Sequence, residues 1–445
     1  MNQRNPAISK GVDWSLVWIY LLLVGIGLMA IFGATFQEGD PVLQSFLGFK
    51  TDYSKQFYYF IAAAIIGLFI LLTDSKFFPA TANLWYAFGI FILLLVFPFH
   101  SKVRGTESIL RMGGFQFQPA EFCKIFVCLA LAKYMSRPET DFTKFRSQLI
   151  ASAIVLFPAL LTILQSETGL ALVYCAFFLV MYREGLPSVI LITGFALAGL
   201  VVATIVISPN TLAVVLTVIA LLAIYILQKQ IKRNKRILVT IVFLWLVCVG
   251  IQRFAVPFLF KSVLQKYQVE RIYDLFGIEN PYRAAGEVAE LNAQKKKESE
   301  SNYNVKQSKI AIGSGQLWGK GLLKGTQTRY DFVPEQRTDF IFCTIGEGYG
   351  FLGSTVIMGV FLILLFRIIT IAERQRSVFS RCYAYGVAAV FFFHIAINMA
   401  MTVGLAPVIG IPLPLISYGG TSLLTFTILL FILIRLDADR QMVLR

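Results

Sequence analysis

The sequence predicts an all-α fold: a polytopic integral membrane helical bundle with one large extracytoplasmic loop. The 445 residues are 57% hydrophobic and only 15% charged, with a mean hydropathy of +0.70. Soluble domains carry about a quarter charged residues. Apolar runs of about 18 residues or more recur along the chain, and each is long enough to cross a bilayer. One stretch, residues 260–339, is long and polar by contrast.

The apolar runs predict about twelve membrane spans. The pair at 187–207 and 210–228 is joined only by a turn around Pro209 and Asn210, so it could instead form one re-entrant hairpin. The polar N-terminus leads directly into the first run, which predicts a span and not a cleaved signal peptide. The spans are expected at 14–34, 56–73, 82–98, 119–135, 148–165, 168–183, 187–207, 210–228, 236–259, 340–370, 381–402 and 415–436.

The distribution of basic residues among the loops predicts how these spans are oriented. A charge of +15 could indicate nucleic-acid binding, but basic residues of membrane proteins collect in cytoplasmic loops. Three loops are rich in Lys and Arg, at 133–146, 229–236 and 374–381. With twelve spans all three lie on the side of the termini, so both termini are predicted to be cytoplasmic and residues 260–339 to lie on the extracytoplasmic side. No nucleic-acid partner is expected.

The long loop divides in two. The stretch from Ala284 to Ser301 is polar and predicts an exposed helix or a mobile segment without a catalytic role. After it, glycines at 313, 315, 319, 321 and 325 alternate with Lys320 and Lys324. Glycine permits close backbone approach, and successive amides can form an anion-binding nest. A phosphate or pyrophosphate site is one interpretation, and a flexible glycine-rich loop is the other.

The segment PEQRTDF places Glu335, Arg337 and Asp339 directly before an apolar span. A carboxylate at a membrane boundary is partly desolvated, which suits a general base. The alternative is structural, because Thr338 or Asp339 could cap the helix that follows.

Charged residues within spans are costly and therefore informative. Glu121 and Lys124 lie three residues apart and could pair on one helix face. Glu167 lies between two spans, and Glu347 follows Asp339 by eight residues, near the same helix face. These acidic residues predict a cavity near one leaflet.

Prolines, histidines and cysteines give three further indications. Pro407, Pro412 and Pro414 interrupt the segment 398–424. Irregular backbone at membrane depth is tolerated only where protein or a water-filled cavity covers it, which predicts a lined groove here. A plain extracellular turn is the alternative. His100 and His394 are the only histidines, which argues against a His-based triad, and His394 is expected to be a satisfied buried residue. The six cysteines lack metal-type spacing.

Four motifs resemble those of the SEDS family of glycosyltransferases: FQPAEFCK, QSKIAIGSGQLWGKG, PEQRTDFIF and GLAPVIGIPLPLISYGGTS. They extend over residues 100–424, and the N-terminal segment is similar to the RodA elongation branch more than to the FtsW division branch. The resemblance implies one membrane-embedded domain over residues 1–445, with the catalytic segment in 260–339. The family plan has ten spans, so residues 187–259 are expected to contain two additional ones.

The resemblance also implies a site. Asp339 takes the place of the catalytic carboxylate, Glu121, Lys124 and Glu347 fall on cavity positions, and Glu167 stands where the family has Asp. Further substrate-binding residues are expected within the motifs: Gln118, Gln307, Ser308, Lys320, Lys324, Arg337, Ser417 and Tyr418. Three other departures are notable: Ser108 and Ile109 replace the family's Arg-Trp, Arg337 replaces a His, and Gly348 replaces a Glu.

The family's activity is polymerisation of lipid II into β-1,4-linked glycan strands with release of undecaprenyl pyrophosphate. Inversion calls for one displacement with one base, and Lys124, Lys320 and Lys324 are the candidates to neutralise the pyrophosphate. A divalent cation, Mg²⁺ or Mn²⁺, could also take part. The implied partners are a class B penicillin-binding protein (transpeptidase) and other elongation-complex membrane proteins. The alternatives are a lipid II flippase, a scaffold for the transpeptidase, and an FtsW-like division protein.

Overall fold

The computed structural model describes residues 11–36, 42–99, 101–103, 106–112, 115–264, 266–276, 278 and 300–440. Backbone contacts divide the chain into two compact units, residues 187–302 and the remainder. The larger part of the predicted mobile stretch, 284–299, lies outside the described residues.

The larger unit contains the following helices and strands. Its helices are α1 (Trp14–Thr35), α2 (Val42–Leu47), α3 (Asp52–Leu72), α4 (Phe77–Phe99), α5 (Pro119–Met135), α6 (Phe145–Leu164), α7 (Thr168–Tyr174), α8 (Phe177–Arg183), α15 (Glu300–Ser314, which begins in the smaller unit), α16 (Thr326–Arg329), α17 (Ile341–Glu373), α18 (Val378–Thr402) and α19 (Gly420–Ala438). Between α4 and α5 lie three short strands, β1 (Ser101–Val103), β2 (Thr106–Met112) and β3 (Phe115–Phe117), which pair antiparallel in that order.

All twelve predicted spans correspond to helical segments. Ten helices of the described residues are long and apolar enough to cross a membrane, with Arg236–Ser262 counted as one continuous helix. The other two positions are α5, a 17-residue helix that carries Glu121 and Lys124, and the segment Thr168–Arg183, which is split into α7 and α8. The small sheet was not predicted. Strands β1 and β3 have only three residues each, and the seven residues of β2, TESILRM, do not alternate between apolar and polar side chains.

The core of the larger unit lies around α19. This helix packs against α3, α5 and α18, and most of its side chains are buried. Outer helices such as α3 and α4 instead expose large apolar side chains, including Phe69 and Leu84. Apolar residues that face outward on a long helix are typical of contact with lipid.

The smaller unit is formed by α9 (Ser188–Val206), α10 (Pro209–Ile226), α11 (Gln228–Arg233), α12 (Arg236–Gly250), α13 (Val256–Phe258), α14 (Lys266–Phe276) and two π-helical segments, Ile251–Ala255 and Leu259–Val263. The predicted pair at 187–228 forms two separate helices of 19 and 18 residues, each long enough to span a bilayer. Gln252 donates to the carbonyl of Pro209, and Trp245 donates to Thr217.

Ion pairs gather at one end of the helices in the larger unit. Arg381 pairs with Glu184 at 2.8 Å, and Arg374 pairs with both Asp437 and Asp13. The first residue before α1, the end of α8, the α17–α18 turn and the end of α19 therefore lie together. The opposite end holds the sheet, the start of α19 and residues 314–328, which we call the glycine-rich loop.

Candidate active site

The segment before α17 is fixed at three successive backbone carbonyls. The amide of Tyr418 donates to the carbonyl of Arg337 (2.9 Å), and the Ser417 hydroxyl donates to that of Thr338 (2.6 Å). The side chain of Asn398 donates to the carbonyl of Asp339 (2.8 Å). A segment held at every residue has little freedom to move its side chains. The carboxylate of Asp339 is thus presented from a rigid backbone at partial burial.

The structure does not support the helix-cap interpretation of this segment. The N-cap of α17 is Phe340, and no side chain caps it. Asp339 therefore precedes the cap position, and Thr338 hydrogen-bonds Glu335 instead.

Arg337 and Tyr418 meet Asp52 beside this segment. The Arg337 guanidinium lies 2.5 Å from the Asp52 carboxylate, and the Tyr418 hydroxyl also hydrogen-bonds Asp52. Asp52 begins α3, where a negative charge is favoured by the helix dipole. The replacement of the family's His by Arg337 is thus matched by a carboxylate within reach. Asp52 was not singled out from the sequence, since it lies far from the motifs in the chain.

The predicted pair of Glu121 and Lys124 forms in the interior. Their charged atoms are 2.8 Å apart, and both side chains are almost completely buried. Lys124 also contacts the ring nitrogen Nε2 of His394 at 2.7 Å. The second carboxylate oxygen of Glu121 has no hydrogen-bond partner among the residues that the structure describes, and it is buried like the rest of the pair. Lys124 is completely enclosed, which contradicts a direct contact with pyrophosphate in this conformation.

Glu167 meets both the sheet and the start of α5. Its carboxylate accepts from Ser108 at 2.5 Å and from Gln118 at 3.1 Å. Ser108 and Glu167 are two of the departures from the family motifs, and they contact each other. A glutamate is longer by one methylene than the family's aspartate, and serine is shorter than arginine.

The position of Glu347 corrects the expectation that it lines the cavity with Asp339. Its side chain is buried, and donors from the glycine-rich loop surround it: Ser314, Lys320, Thr326, Gln327 and Thr328, the last through both its amide and its hydroxyl. These donors place Glu347 under the loop, as the anchor of residues 314–328. The spacing of eight residues did not bring it to Asp339, because α17 begins only after Asp339.

The glycine-rich loop is not an anion nest. The amides of Lys320 and Gly321 donate to the carbonyls of Glu347 and Gly348, at 3.0 and 2.9 Å. The amides of Phe351 and Leu352 donate back to the loop carbonyls of Gln316 and Leu317. The loop therefore replaces hydrogen bonds that α17 loses at its break, Gly350.

Close approach explains why glycines are needed there. A Cβ at Gly315 would lie 2.0 Å from the carbonyl oxygen of Gly346, and one at Gly319 would lie 2.2 Å from that of Gly348. Gly319 and Gly321 also have positive φ angles of 81° and 101°, which favour glycine. The predicted close backbone approach is confirmed, and its partner is a helix.

The remaining predicted site residues either make structural hydrogen bonds or lie at the surface. Ser308 donates to the carbonyl of Thr402 and so ties α15 to α18. Gln307 is half-buried on α15, and Lys324 is exposed on the loop. Of the three lysines predicted to neutralise a pyrophosphate, Lys124 and Lys320 are bound to Glu121 and Glu347.

Within the described ranges, no three His, Cys, Asp or Glu side chains come together in a way that could hold a metal ion. A divalent cation bound by protein groups alone does not fit these residues. A cation shared with substrate phosphate oxygens stays a prediction.

Asn398 and His394 were missed as site residues. They lie one turn apart on α18, and such a spacing places both on one helix face. Asn398 contacts the carbonyls of both Asp339 and Ile411. A polar side chain in an apolar helix was the available signal.

Comparison with known proteins agrees with this architecture. The chain is 29% identical over 444 residues to the peptidoglycan glycosyltransferase RodA of Treponema pallidum, which covers 96% of this chain and 97% of that protein. It is 28% identical over 387 residues to the peptidoglycan glycosyltransferase MrdB of Escherichia coli strain K12, with coverage of 86% and 85%.

Two solved structures share the fold. A chain from a peptidoglycan synthase complex, described as coordinating polymerization and crosslinking, superposes with a TM-score of 0.64 at 21% identity, over 96% of this chain and 98% of that one. The crystal structure of the rod shape determining protein RodA of Thermus thermophilus gives a TM-score of 0.59 at 20% identity, with coverage of 96% and 97%. The family model for the cell cycle proteins FtsW, RodA and SpoVE matches residues 14–215 and 208–442. The chain therefore belongs to this family, as its four motifs predict.

Proposed function

We propose that this chain is a RodA-type peptidoglycan glycosyltransferase that polymerises lipid II into β-1,4-linked glycan strands during cell elongation. The names of the relatives from Treponema pallidum and Escherichia coli support a peptidoglycan glycosyltransferase. The match to the family model over nearly the whole chain supports the same activity. The substrate, lipid II, fits a site placed at one end of a membrane bundle.

The observation that carries the proposal is the fixed backbone of Arg337, Thr338 and Asp339. Transfer from an α-linked pyrophosphate to a β-1,4 bond inverts configuration, so one displacement with one base is sufficient. Asp339 takes the proton from the C4 hydroxyl of the acceptor as that oxygen attacks the anomeric carbon. Undecaprenyl pyrophosphate leaves with the bonding electron pair. A base contributes most when its geometry is set beforehand.

The leaving pyrophosphate needs charge neutralisation more than protonation. Lys324 is the exposed lysine of the glycine-rich loop, and we assign it to this role. Lys320 is 29% exposed while bound to Glu347, so one of its protons is still available to a phosphate oxygen.

The orientation follows from charge. The end that carries Arg374, Arg381 and their ion pairs is rich in basic residues and is assigned to the cytoplasm, together with both termini. The opposite end, with Asp339, then faces the periplasm of the bacterial inner membrane. This is the side on which glycan strands would be assembled.

The partner we propose is a class B penicillin-binding protein, which would crosslink the strands as they form. The related chain from a complex that coordinates polymerization and crosslinking supports this class of partner. Other elongation-complex membrane proteins are proposed by the same reasoning.

The deciding experiment is polymerisation of purified lipid II by the full chain in detergent, with Asp339→Asn compared to wild type. We expect the variant to fold and to make no glycan strands. Asp74→Asn is the matched control, because Asp74 lies in the turn between α3 and α4 and is exposed. Normal polymerisation by Asp339→Asn contradicts the assignment.

The same assay separates the other functions. A flippase needs two compartments and would be inactive in detergent, and a scaffold would tolerate loss of the carboxylate. Runs with and without a chelator and with a candidate transpeptidase test the divalent cation and the partner.

A further inference from the structure

A buried chain of hydrogen bonds links the Glu121–Lys124 pair to the segment that faces Asp339. Lys124 contacts Glu121 at 2.8 Å and Nε2 of His394 at 2.7 Å. On the other side of its ring, Nδ1 of His394 lies 3.3 Å from the carbonyl oxygen of Pro412. Both Lys124 and His394 are fully buried. His394 thus joins α5 to the proline-rich segment 403–419.

The partners determine the protonation of His394. Beside the carboxylate of Glu121, Lys124 is an ammonium and can only donate. Nε2 of His394 must therefore accept, and Nδ1 carries the hydrogen that is donated to Pro412. A second positive charge 2.7 Å from Lys124, with one carboxylate for both, would be strongly unfavourable in a buried site. This arrangement of partners requires a neutral imidazole with its proton on Nδ1.

The aromatic ring of Phe426 on α19 completes this enclosure. It meets the His394 ring edge-on, with 4.9 Å between the ring centroids, and Lys124 lies 5.4 Å from its centroid. An ammonium near an aromatic face gains a cation–π contact. Three elements, α5, α19 and the proline-rich segment, therefore contact the imidazole from different sides.

The proline-rich segment transmits this position to Asp339. His394 binds the carbonyl of Pro412, and Asn398, one turn later, binds those of Ile411 and Asp339. Gly410 faces the carboxylate, since a Cβ there would lie 3.5 Å from Oδ2 of Asp339. Two adjacent carbonyls of the segment are thus held by two side chains of one helix.

We infer that His394 is a positioning residue, whose neutral Nδ1–H form couples the buried Glu121–Lys124 pair to the segment that faces Asp339. The inference rests on the proposed function, because it assigns His394 to the same reaction. In the contacts described, the side chain of His394 touches neither the reacting atoms nor Asp339. Its role is to set the distance between the Glu121–Lys124 pair and Asp339.

The first test is spectroscopic and independent of activity. The full chain is labelled with ¹⁵N-histidine in detergent, and His100→Gln removes the signal of the other histidine. We expect His394 to show the pattern of a neutral ring protonated at Nδ1. A ring protonated at Nε2, or at both nitrogens, overturns the inference.

The second test is kinetic and uses three variants. His394→Gln places an amide near the Nε2 position, His394→Asn places one near the Nδ1 position, and His394→Phe removes both contacts. A displacement of about 1 Å at a reacting group can cost on the order of 100-fold in rate. We expect kcat for lipid II polymerisation to fall on the order of 100-fold in His394→Phe and less in the other two, with KM unchanged. Phe392→Leu is the control, since Phe392 is exposed on the same helix.

The outcomes are distinct. If kcat per folded molecule is normal in His394→Phe, or if KM rises while kcat is constant, the positioning role is wrong. If His394→Phe does not fold, an unchanged kcat in both His394→Gln and His394→Asn also shows that the positioning role is wrong. If the wild-type chain itself makes no glycan, the proposed function fails, while the ¹⁵N measurement still decides the state of His394.

Discussion

The side-chain amide of Asn398 donates a hydrogen bond to the backbone carbonyl of Asp339, with 2.8 Å between the two atoms. The same amide lies 2.7 Å from the carbonyl of Ile411. One side chain of α18 therefore connects the proposed catalytic segment to the proline-rich segment. Neither segment has regular secondary structure that could hold it in place.

Asn398→Ala should impair catalysis through this connection. The substitution leaves two carbonyls without their donor, which costs about 1–3 kcal/mol each when the group is buried. We expect kcat for polymerisation to fall by about tenfold or more, with a lower melting temperature. Polymerisation of lipid II per folded molecule is the measurement.

Asn234→Ala is the control, because Asn234 is exposed in the turn before α12. Wild-type kcat in Asn398→Ala would show that the connection has no part in the reaction.

Much of the fold was predictable because the bilayer imposes a simple rule. A helix that crosses it needs a long apolar run, and each predicted run from 14–34 to 415–436 coincides with a helical segment. Charge asymmetry of the loops likewise agrees with the ion pairs of Arg374 and Arg381 at one end. These signals are local in the sequence.

The site was less predictable because its contacts connect distant residues. Asp52 meets Arg337, and Ser108 meets Glu167, across 285 and 59 positions of the chain. Glycine spacing indicated close backbone approach but could not distinguish a phosphate from a helix as the partner. Glu347 illustrates the same limit, since its charge suggested a cavity while its donors come from the loop.

Gly350→Ala should disrupt the junction between α17 and the glycine-rich loop. Gly350 has φ 65° and ψ −160°, a region that is essentially restricted to glycine. A Cβ there would lie 2.4 Å from the amide nitrogen of Gly319. We expect the variant to be destabilised by about 2 kcal/mol or more, measured by thermal unfolding in detergent.

Gly359→Ala provides the matched control for Gly350→Ala. Gly359 lies on the same helix with open space around its Cβ position, and alanine favours helices over glycine by about 1 kcal/mol. The control should be neutral or slightly stabilised. Equal melting temperatures for the two variants would contradict the role of Gly350 at the break.

Glu347→Gln should loosen the glycine-rich loop without removing a catalytic group. Both carboxylate oxygens accept hydrogen bonds, and an amide nitrogen in place of one oxygen would face donors such as the Thr328 amide. The ion pair with Lys320 is also lost. We expect faster hydrogen exchange of residues 314–328 together with reduced activity.

Glu139→Gln, in an exposed turn after α5, is the comparison for Glu347→Gln. Reduced activity with unchanged exchange in 314–328 would instead assign Glu347 to direct substrate contact. Hydrogen exchange is the better measurement here, because activity alone cannot separate the two roles.

Asp13→Asn should destabilise the opposite end of the bundle in a pH-dependent manner. Burial acts to raise the pKa of Asp13, but hydrogen bonds from Arg367, Arg374 and the amide of Leu16 outweigh it and hold the pKa below its ordinary value of 3.8. A carboxyl with a lower pKa in the folded state stabilises that state above its unfolded pKa, and this contribution is lost as the pH falls through the folded pKa.

At pH 7 we expect the free energy of unfolding of Asp13→Asn to be lower than that of wild type by about 2 kcal/mol or more, since hydrogen bonds to charged groups are involved. Thermal unfolding between pH 7 and pH 3 should show the gap between wild type and variant narrowing only below about pH 4, whereas Asp74→Asn should show no comparable gap at pH 7. A gap that is independent of pH throughout this range would mean that the charge of Asp13 is not what holds α1 to Arg367 and Arg374.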